Sequence, residues 1–184
     1  MGPLEGLKVL DLSRVIAGPY CSMLLGDLGA DIVKVERPDG EGTRNIEPTV
    51  GKDSLFFMAF NRNKRSMTLN FRNKSGQETL RKLVGQADVL LENFRPGTME
   101  KMGCSWEVLH EVNPRLIMAR ISGYGHEGPK SDRIAIDPVI QAASGLMSMT
   151  GPKEGPPTMM GVTVVDHATA MYATVAITAA LQAR

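Results

Sequence analysis

A strand–helix–strand unit near the start of the chain limits the folds that it can adopt. Residues 8–12 form a short apolar run typical of a buried strand, and a second run spans residues 32–35. Between them, Pro19 is well placed to begin a helix that should end at Gly29. Two strands joined by a helix over about thirty residues run parallel, with a right-handed crossover.

The same alternation continues along the chain. Further strands are predicted over residues 67–71, 89–91 and 116–121, and helices over 75–86, starting near a Ser cap, 105–112 and 165–184. We therefore expect an α/β fold, a Rossmann-like doubly wound and mostly parallel sheet. Residues 1–184 show no internal boundary and are expected to form one domain. The last helix, rich in Ala and Thr, is predicted to be buried.

Charge and composition disfavour several classes of function. The 184 residues carry a net charge of +1, so no strong field attracts nucleic acid or an anionic membrane. Neither a signal peptide nor an apolar run of about 18 residues is visible, and we expect a cytoplasmic protein without a membrane partner. Cys21 and Cys104, like the three histidines, lack the spacing of metal ligands, so no metal site is predicted.

The first strand–helix–strand unit also raises the possibility of dinucleotide binding. Glu36 ends the second apolar run, where an acid that binds ribose would lie. However, residues 13–19 contain a single glycine, whereas the phosphate-binding loop of such folds needs three. The sequence therefore disfavours NAD.

Basic residues lie where predicted strands end. Arg14, Arg37 and Arg95 each follow a strand closely, and ligands of doubly wound sheets bind at the carboxyl ends of the strands. These side chains would then converge on an anionic ligand, although each taken singly fits a solvated surface charge better. The basic cluster at residues 61–65 is interpreted as a solvated turn.

Asp166 stands between the apolar run 162–165 and an almost uncharged helix. A carboxylate in this place either caps the helix or is presented for chemistry. Position alone favours the cap, and the amino terminus of a helix would keep the carboxylate ionised in either role.

Many segments, taken together, resemble the class III CoA-transferase family, which also includes carnitine-CoA transferases and α-methylacyl-CoA racemases. The matching segments are residues 6–13, 17–19, 28–31, 34–38, 63–66, 88–97, 113–117, 122–125 and 144–147, followed by Asp166 ahead of the small-residue helix. The match runs in order along essentially the whole chain.

This resemblance implies transfer of CoA from an acyl-CoA donor to a carboxylic acid acceptor. Asp166 matches the family's nucleophile, which forms an aspartyl anhydride and then an aspartyl-CoA thioester. Coenzyme A thioester is a substrate here, and no permanently bound cofactor is expected. The positions that match the family's CoA contacts are Arg14, Val15, Ile16, Arg37, Leu69, Arg72 and Lys101.

Two departures from the family bear on the substrate. Ile136 stands where racemases have a His, which favours a transferase over a racemase. Ile16 replaces a Gln found in members that transfer formyl and oxalyl groups. This difference disfavours those small acids as substrates and is compatible with a larger or less polar acyl group.

Family members are much longer than 184 residues, and their subunits interlock. The resemblance therefore implies that this chain is the amino-terminal part of a larger fold, a homodimer at full length. Two alternatives remain: an acyl-CoA racemase, or an inactive CoA-binding or dimerisation fragment.

Overall fold

Five parallel strands form the central sheet in the computed structural model, which describes residues 2–184. The strands of the chain are β1 (Lys8–Asp11), β2 (Asp31–Glu36), β3 (Thr49–Val50), β4 (Asp53–Ser54), β5 (Lys64–Thr68), β6 (Val89–Glu92) and β7 (Ile117–Arg120). The sheet has the order β5–β2–β1–β6–β7, while β3 and β4 form a separate antiparallel pair. The chain winds outward from β1 in both directions, so the predicted α/β doubly wound fold is confirmed.

Helices cover both faces of this sheet. They are α1 (Ala17–Asp27), α2 (Leu55–Asn61), α3 (Lys74–Val84), α4 (Thr98–Lys101), α5 (Trp106–Val112), α6 (Asp137–Ala143) and α7 (Val164–Ala183), with short 3-10 turns at Gly42–Asn45 and Leu146–Met149. Neighbouring residues of β1 point to opposite faces. Val9 belongs to the core that α1 and α7 cover, and Leu10 to the core beneath α3 and α5.

Several predicted starts of strands and helices differ from those in the structure. The third strand of the sheet begins at Lys64 rather than residue 67, so the cluster at residues 61–65 runs into a strand and is not simply a solvated turn. Its members have different environments, because the side chain of Lys64 is buried whereas those of Arg62 and Arg65 are exposed. The cap of α3 is Asn73, whose Oδ1 accepts from the Gly76 N–H at 2.7 Å. Helices α2, α4 and α6 were not predicted.

Helix α7 was expected to be buried, and most of it is not. Ala170, Thr174 and Ile177 are buried on its inner face, whereas Tyr172 and Val175 are 80% and 64% exposed. By length and composition alone, α7 is apolar enough to cross a membrane, although no apolar run of that length was expected from the sequence. In the structure, 17% of its most apolar 18-residue window is buried. Ala170, Thr174 and Ile177 pack on the inner side, whereas larger apolar side chains, among them Met171, remain exposed on the outer side.

Candidate active site

A cavity of about 520 Å³ opens at the carboxyl ends of β1, β2 and β5. Its wall includes four of the predicted CoA contacts, which are Arg14, Arg37, Leu69 and Arg72. Lys101 lies in α4 between two further lining residues, Thr98 and Met102. The fold thus brings basic side chains from separate loops to one edge of the sheet, where the sequence placed an anionic ligand.

The other predicted contacts do not line this cavity. Val15 is half exposed, and Ile16 is buried at the start of α1. Arg95 is also absent from its wall. Any contact that Ile16 makes with a ligand therefore depends on movement of the chain or on its backbone.

Three arginines line the cavity, Arg14, Arg37 and Arg72, and the charges of the first two interact. Burial lowers the pKa of Arg14 from its ordinary value, and the nearby Arg37 guanidinium lowers it further. Arg14 also lies over the ring of Phe94, with its Cζ 4.9 Å from the ring centroid. Because the two guanidinium groups repel each other, an anion bound between them would be stabilised.

A buried ion pair lies beneath the loop that carries Arg14. The Asp11 carboxylate, fully buried at the end of β1, is 3.0 Å from Lys64 Nζ and accepts a hydrogen bond from Ser22 Oγ at 2.6 Å. Burial would raise the pKa of Asp11, but Lys64, Lys34 and the hydroxyl donors lower it to about 2. Asp11 is therefore ionised at neutral pH and anchors the start of the loop.

Asp166 does not cap α7. Asp166 is the third residue of the helix. Two N–H groups in the first turn of α7 are instead bound by Asp137, whose Oδ1 accepts from Val165 N at 2.7 Å and from Asp166 N at 3.0 Å. Asp137 is 4% exposed. The cap favoured from position alone is thus wrong, and a carboxylate 29 residues away takes that role.

Gln141 completes the support of this helix start. Its Nε2 donates to Asp137 Oδ2, and its Oε1 accepts from the Met160 N–H at 3.0 Å. Asp137 and Gln141 lie one turn apart on α6, so both side chains project from the same face of that helix. This pair was not predicted from the sequence, and the spacing of four residues is the one local signal that points to it.

The carboxylate of Asp166 is half-buried and accepts no hydrogen bond from residues 2–184. Burial raises its pKa, the neighbouring Asp137 raises it further, and His167 lowers it slightly, to give a value of about 6. A pKa of about 6 is compatible with the ionised carboxylate expected at neutral pH, although the pKa is raised rather than lowered. A raised pKa makes a carboxylate more basic and more nucleophilic while leaving it mostly ionised at neutral pH.

A second, apolar cavity of about 620 Å³ lies beside the first turns of α7. Its wall includes Ile121, Ile140, Leu146 and Val165. Asp166 adjoins it in sequence but lines neither this cavity nor the basic one within the described part of the chain. The structure thus gathers most CoA-contact candidates at one place and leaves Asp166 outside it.

The structure also bears on two other functions, dinucleotide binding and metal binding. Glu36 would bind the ribose of a dinucleotide, but its Oε1 already accepts hydrogen bonds from Arg44 Nη2 at 2.6 Å and from Ser66 Oγ at 2.5 Å. Across residues 2–184, no group of three or more His, Cys, Asp or Glu side chains is arranged to hold a metal ion.

Comparison with known proteins extends this description. A model of CoA-transferase family III matches residues 4–184. The chain is 46% identical over 181 residues to succinyl-CoA:glutarate CoA-transferase of Homo sapiens, covering 97% of this chain and 41% of that protein. It is 43% identical over 182 residues to formyl-CoA:oxalate CoA-transferase of Streptomyces avermitilis, covering 98% and 44%.

A solved structure agrees with these matches. A CaiB/BaiF family protein from Brucella suis superposes with a TM-score of 0.96 at 43% identity, covering all of this chain and 50% of that one. The chain therefore spans about half the length of the relatives that it matches. Because the family model covers nearly every residue, the chain belongs to CoA-transferase family III.

Proposed function

We propose that this chain provides the CoA-binding region and the nucleophile of an enzyme that moves CoA from an acyl-CoA donor to a carboxylic acid. Family membership over residues 4–184 supports transfer of CoA in general. The relatives named above use succinyl-CoA with glutarate and formyl-CoA with oxalate, which supports a carboxylate acceptor.

The observation that supports Asp166 as the nucleophile is that a different carboxylate, Asp137, caps the start of α7. Asp137 satisfies the backbone N–H groups of the helix, so Asp166 has no structural hydrogen bond to maintain within the described residues. Its half-buried carboxylate is partly desolvated, which strengthens it as a nucleophile.

In the proposed reaction, an Asp166 oxygen attacks the thioester carbonyl of the donor. The C–S bond breaks, CoA leaves as a thiolate, and an acyl–aspartyl anhydride forms. The thiolate then attacks the aspartyl carbonyl, which releases the donor acid and leaves an aspartyl-CoA thioester. The acceptor carboxylate attacks this thioester and expels the thiolate, which finally attacks the acceptor's acyl carbonyl and regenerates Asp166.

The basic cavity supplies the recognition of CoA. Arg14, Arg37 and Arg72 lie on its wall, and guanidinium groups bind phosphate oxygens through paired, charge-assisted hydrogen bonds. A volume of about 520 Å³ is within the range of small-molecule sites.

A transferase is favoured over a racemase. A racemase needs a second group that exchanges a proton with the α-carbon of the substrate. Ile136, 64% exposed, stands at the position that the family resemblance gives to the racemase His, and its side chain cannot transfer a proton.

Covalent trapping tests this function. A preparation that transfers CoA from succinyl-CoA is treated with the donor and then hydroxylamine, and mass spectrometry locates the modified residue. We expect modification at Asp166 and loss of transfer in Asp166→Asn with near-normal melting, because Asn retains the size of the side chain. The matched control is Asp132→Asn, an exposed residue for which full transfer is expected.

The proposal fails if the active protein carries no label at Asp166. It also fails if Asp166→Asn retains more than about a tenth of the wild-type rate, a loss of under ~1.4 kcal/mol in transition-state stabilisation, after deamidation has been excluded.

A further inference from the structure

The turn between β1 and α1 is held by side chains rather than by regular backbone hydrogen bonds. Asn93, just after β6, makes two bonds to one residue of this turn: its Oδ1 accepts from Arg14 N at 2.8 Å, and its Nδ2 donates to Arg14 O at 2.7 Å. The backbone of an arginine on the cavity wall is therefore fixed from a neighbouring strand.

The next residue has a conformation that its own sequence disfavours. Val15 has a φ of +70°, in the left-handed region, which is unfavourable for a β-branched residue. Its N–H donates to Glu41 Oε1 at 2.8 Å. Surrounding groups have to maintain such a backbone, and residues held in this way cluster at ligand sites.

Glu41 is itself held firmly. It is 4% exposed, its Oε1 also accepts from Thr43 Oγ1 at 2.7 Å, and its Oε2 lies 2.8 Å from Lys34 Nζ. Lys34 is 1% exposed, and its Nζ donates to Ser13 O at 2.8 Å. The two charges neutralise each other in the interior, and each also binds the backbone of the turn.

We propose that Glu41, paired with Lys34, is a positioning residue for CoA binding. They border the cavity, but their charged atoms are paired with each other, so they offer no free charge to a phosphate. Instead they stabilise the left-handed Val15, which in turn directs Arg14 towards the cavity. This inference rests on the proposed binding of CoA.

A matched pair of double variants tests the hydrogen bonds that residue 41 accepts from Val15 and Thr43. Lys34→Met combined with Glu41→Gln, and Lys34→Met combined with Glu41→Leu, both remove the two buried charges and keep similar volumes. They differ in whether residue 41 can accept a hydrogen bond from the Val15 N–H and from the Thr43 hydroxyl, and the Val15 amide is monitored directly. The first readout is hydrogen exchange of the Val15 amide by NMR, which needs no ligand. The second is the dissociation constant of free coenzyme A by calorimetry.

We expect the Val15 amide to exchange at least about tenfold faster in the Leu variant than in the Gln variant, and CoA to bind about tenfold more weakly, as for loss of one hydrogen bond. If the Leu double variant does not fold, the single variant Glu41→Asp is compared with the wild type, because it keeps a charge beside Lys34 but shortens the reach to Val15.

Equal CoA affinities in the two variants, despite different exchange at Val15, would overturn the positioning role alone. Equal exchange at Val15 would show that Glu41 does not hold the turn. A wild-type protein with no affinity for CoA would overturn the proposed function, and this role with it.

Discussion

Replacement of Lys64 by Met should destabilise the protein far more than replacement of its exposed neighbour Arg65. Lys64 Nζ lies 3.0 Å from the fully buried Asp11 carboxylate and also donates to Pro19 O and Asn61 Oδ1. Met has a similar length but no charge, so Lys64→Met leaves a buried carboxylate without its nearest cation.

The structure sets the size of this effect. Lys64, Lys34 and the hydroxyl donors together lower the pKa of Asp11 from 3.8 to about 2, against the effect of burial, which corresponds to roughly 2.5 kcal/mol of stability at neutral pH for the whole group. Removal of one partner from a buried ion pair costs about 3–5 kcal/mol, since the remaining charge stays desolvated. We therefore expect Lys64→Met to lower the free energy of unfolding by about 3–5 kcal/mol at pH 7.

The effect should depend on pH in a defined direction. In the wild type, the folded-state pKa of Asp11 is below its unfolded value, so its contribution is present above about pH 4 and is lost as the pH falls towards 2. In Lys64→Met, Asp11 takes up a proton at a higher pH, which relieves the unpaired charge. The difference between the two proteins should narrow between pH 7 and pH 4.

Urea denaturation at several pH values measures this difference. Arg65→Met is the matched control, because Arg65 forms an exposed pair with Asp31 at 2.6 Å and such pairs contribute at most about 1 kcal/mol. The reasoning is refuted if Lys64→Met costs no more than Arg65→Met, or if its cost is the same at pH 7 and pH 4.

Two further predictions concern the proposed reaction. With the pKa of Asp166 at about 6, the carboxylate is about 90% ionised at pH 7 and about 10% at pH 5. The rate of CoA transfer should therefore fall roughly tenfold over this range, and a flat pH–rate profile would contradict it. Arg37→Ala should weaken CoA binding by about tenfold in calorimetry at moderate salt, through loss of a charge-assisted phosphate contact. Arg65→Ala, in an exposed ion pair away from the cavity wall, should leave CoA affinity unchanged.

Elements whose pattern is local were predicted well from the sequence. The strands at residues 8–12, 32–35 and 89–91 are apolar runs because both faces of a parallel sheet are covered, and the structure has strands at all three. The helix predicted over residues 105–112 is also present, as α5 (Trp106–Val112). The order of the strands was not predicted, because right-handed crossovers fix the hand of each connection and not which strands are neighbours.

Features set by distant contacts were missed. Lys64 resembles its basic neighbours in sequence, and burial beside Asp11, 53 residues earlier, is what distinguishes it. The exposure of α7 was also misjudged. Its composition predicts a helix, but which residues are covered depends on the packing of α7 against α1 and β7.

Both halves of the candidate site share one physical arrangement. The start of α7 and the turn at Val15 are weakly supported by their own sequences, and each is held by a nearly buried carboxylate from another loop or helix. Asp137 accepts from the first turn of α7, and Glu41 accepts from Val15. Since these two carboxylates are engaged by backbone N–H groups, neither is free to attack a thioester. Of the three carboxylates, Asp166 is the one that accepts no hydrogen bond from a backbone N–H among the described residues. The contacts of Asp137 and Glu41 that hold the site together therefore leave Asp166 available for chemistry.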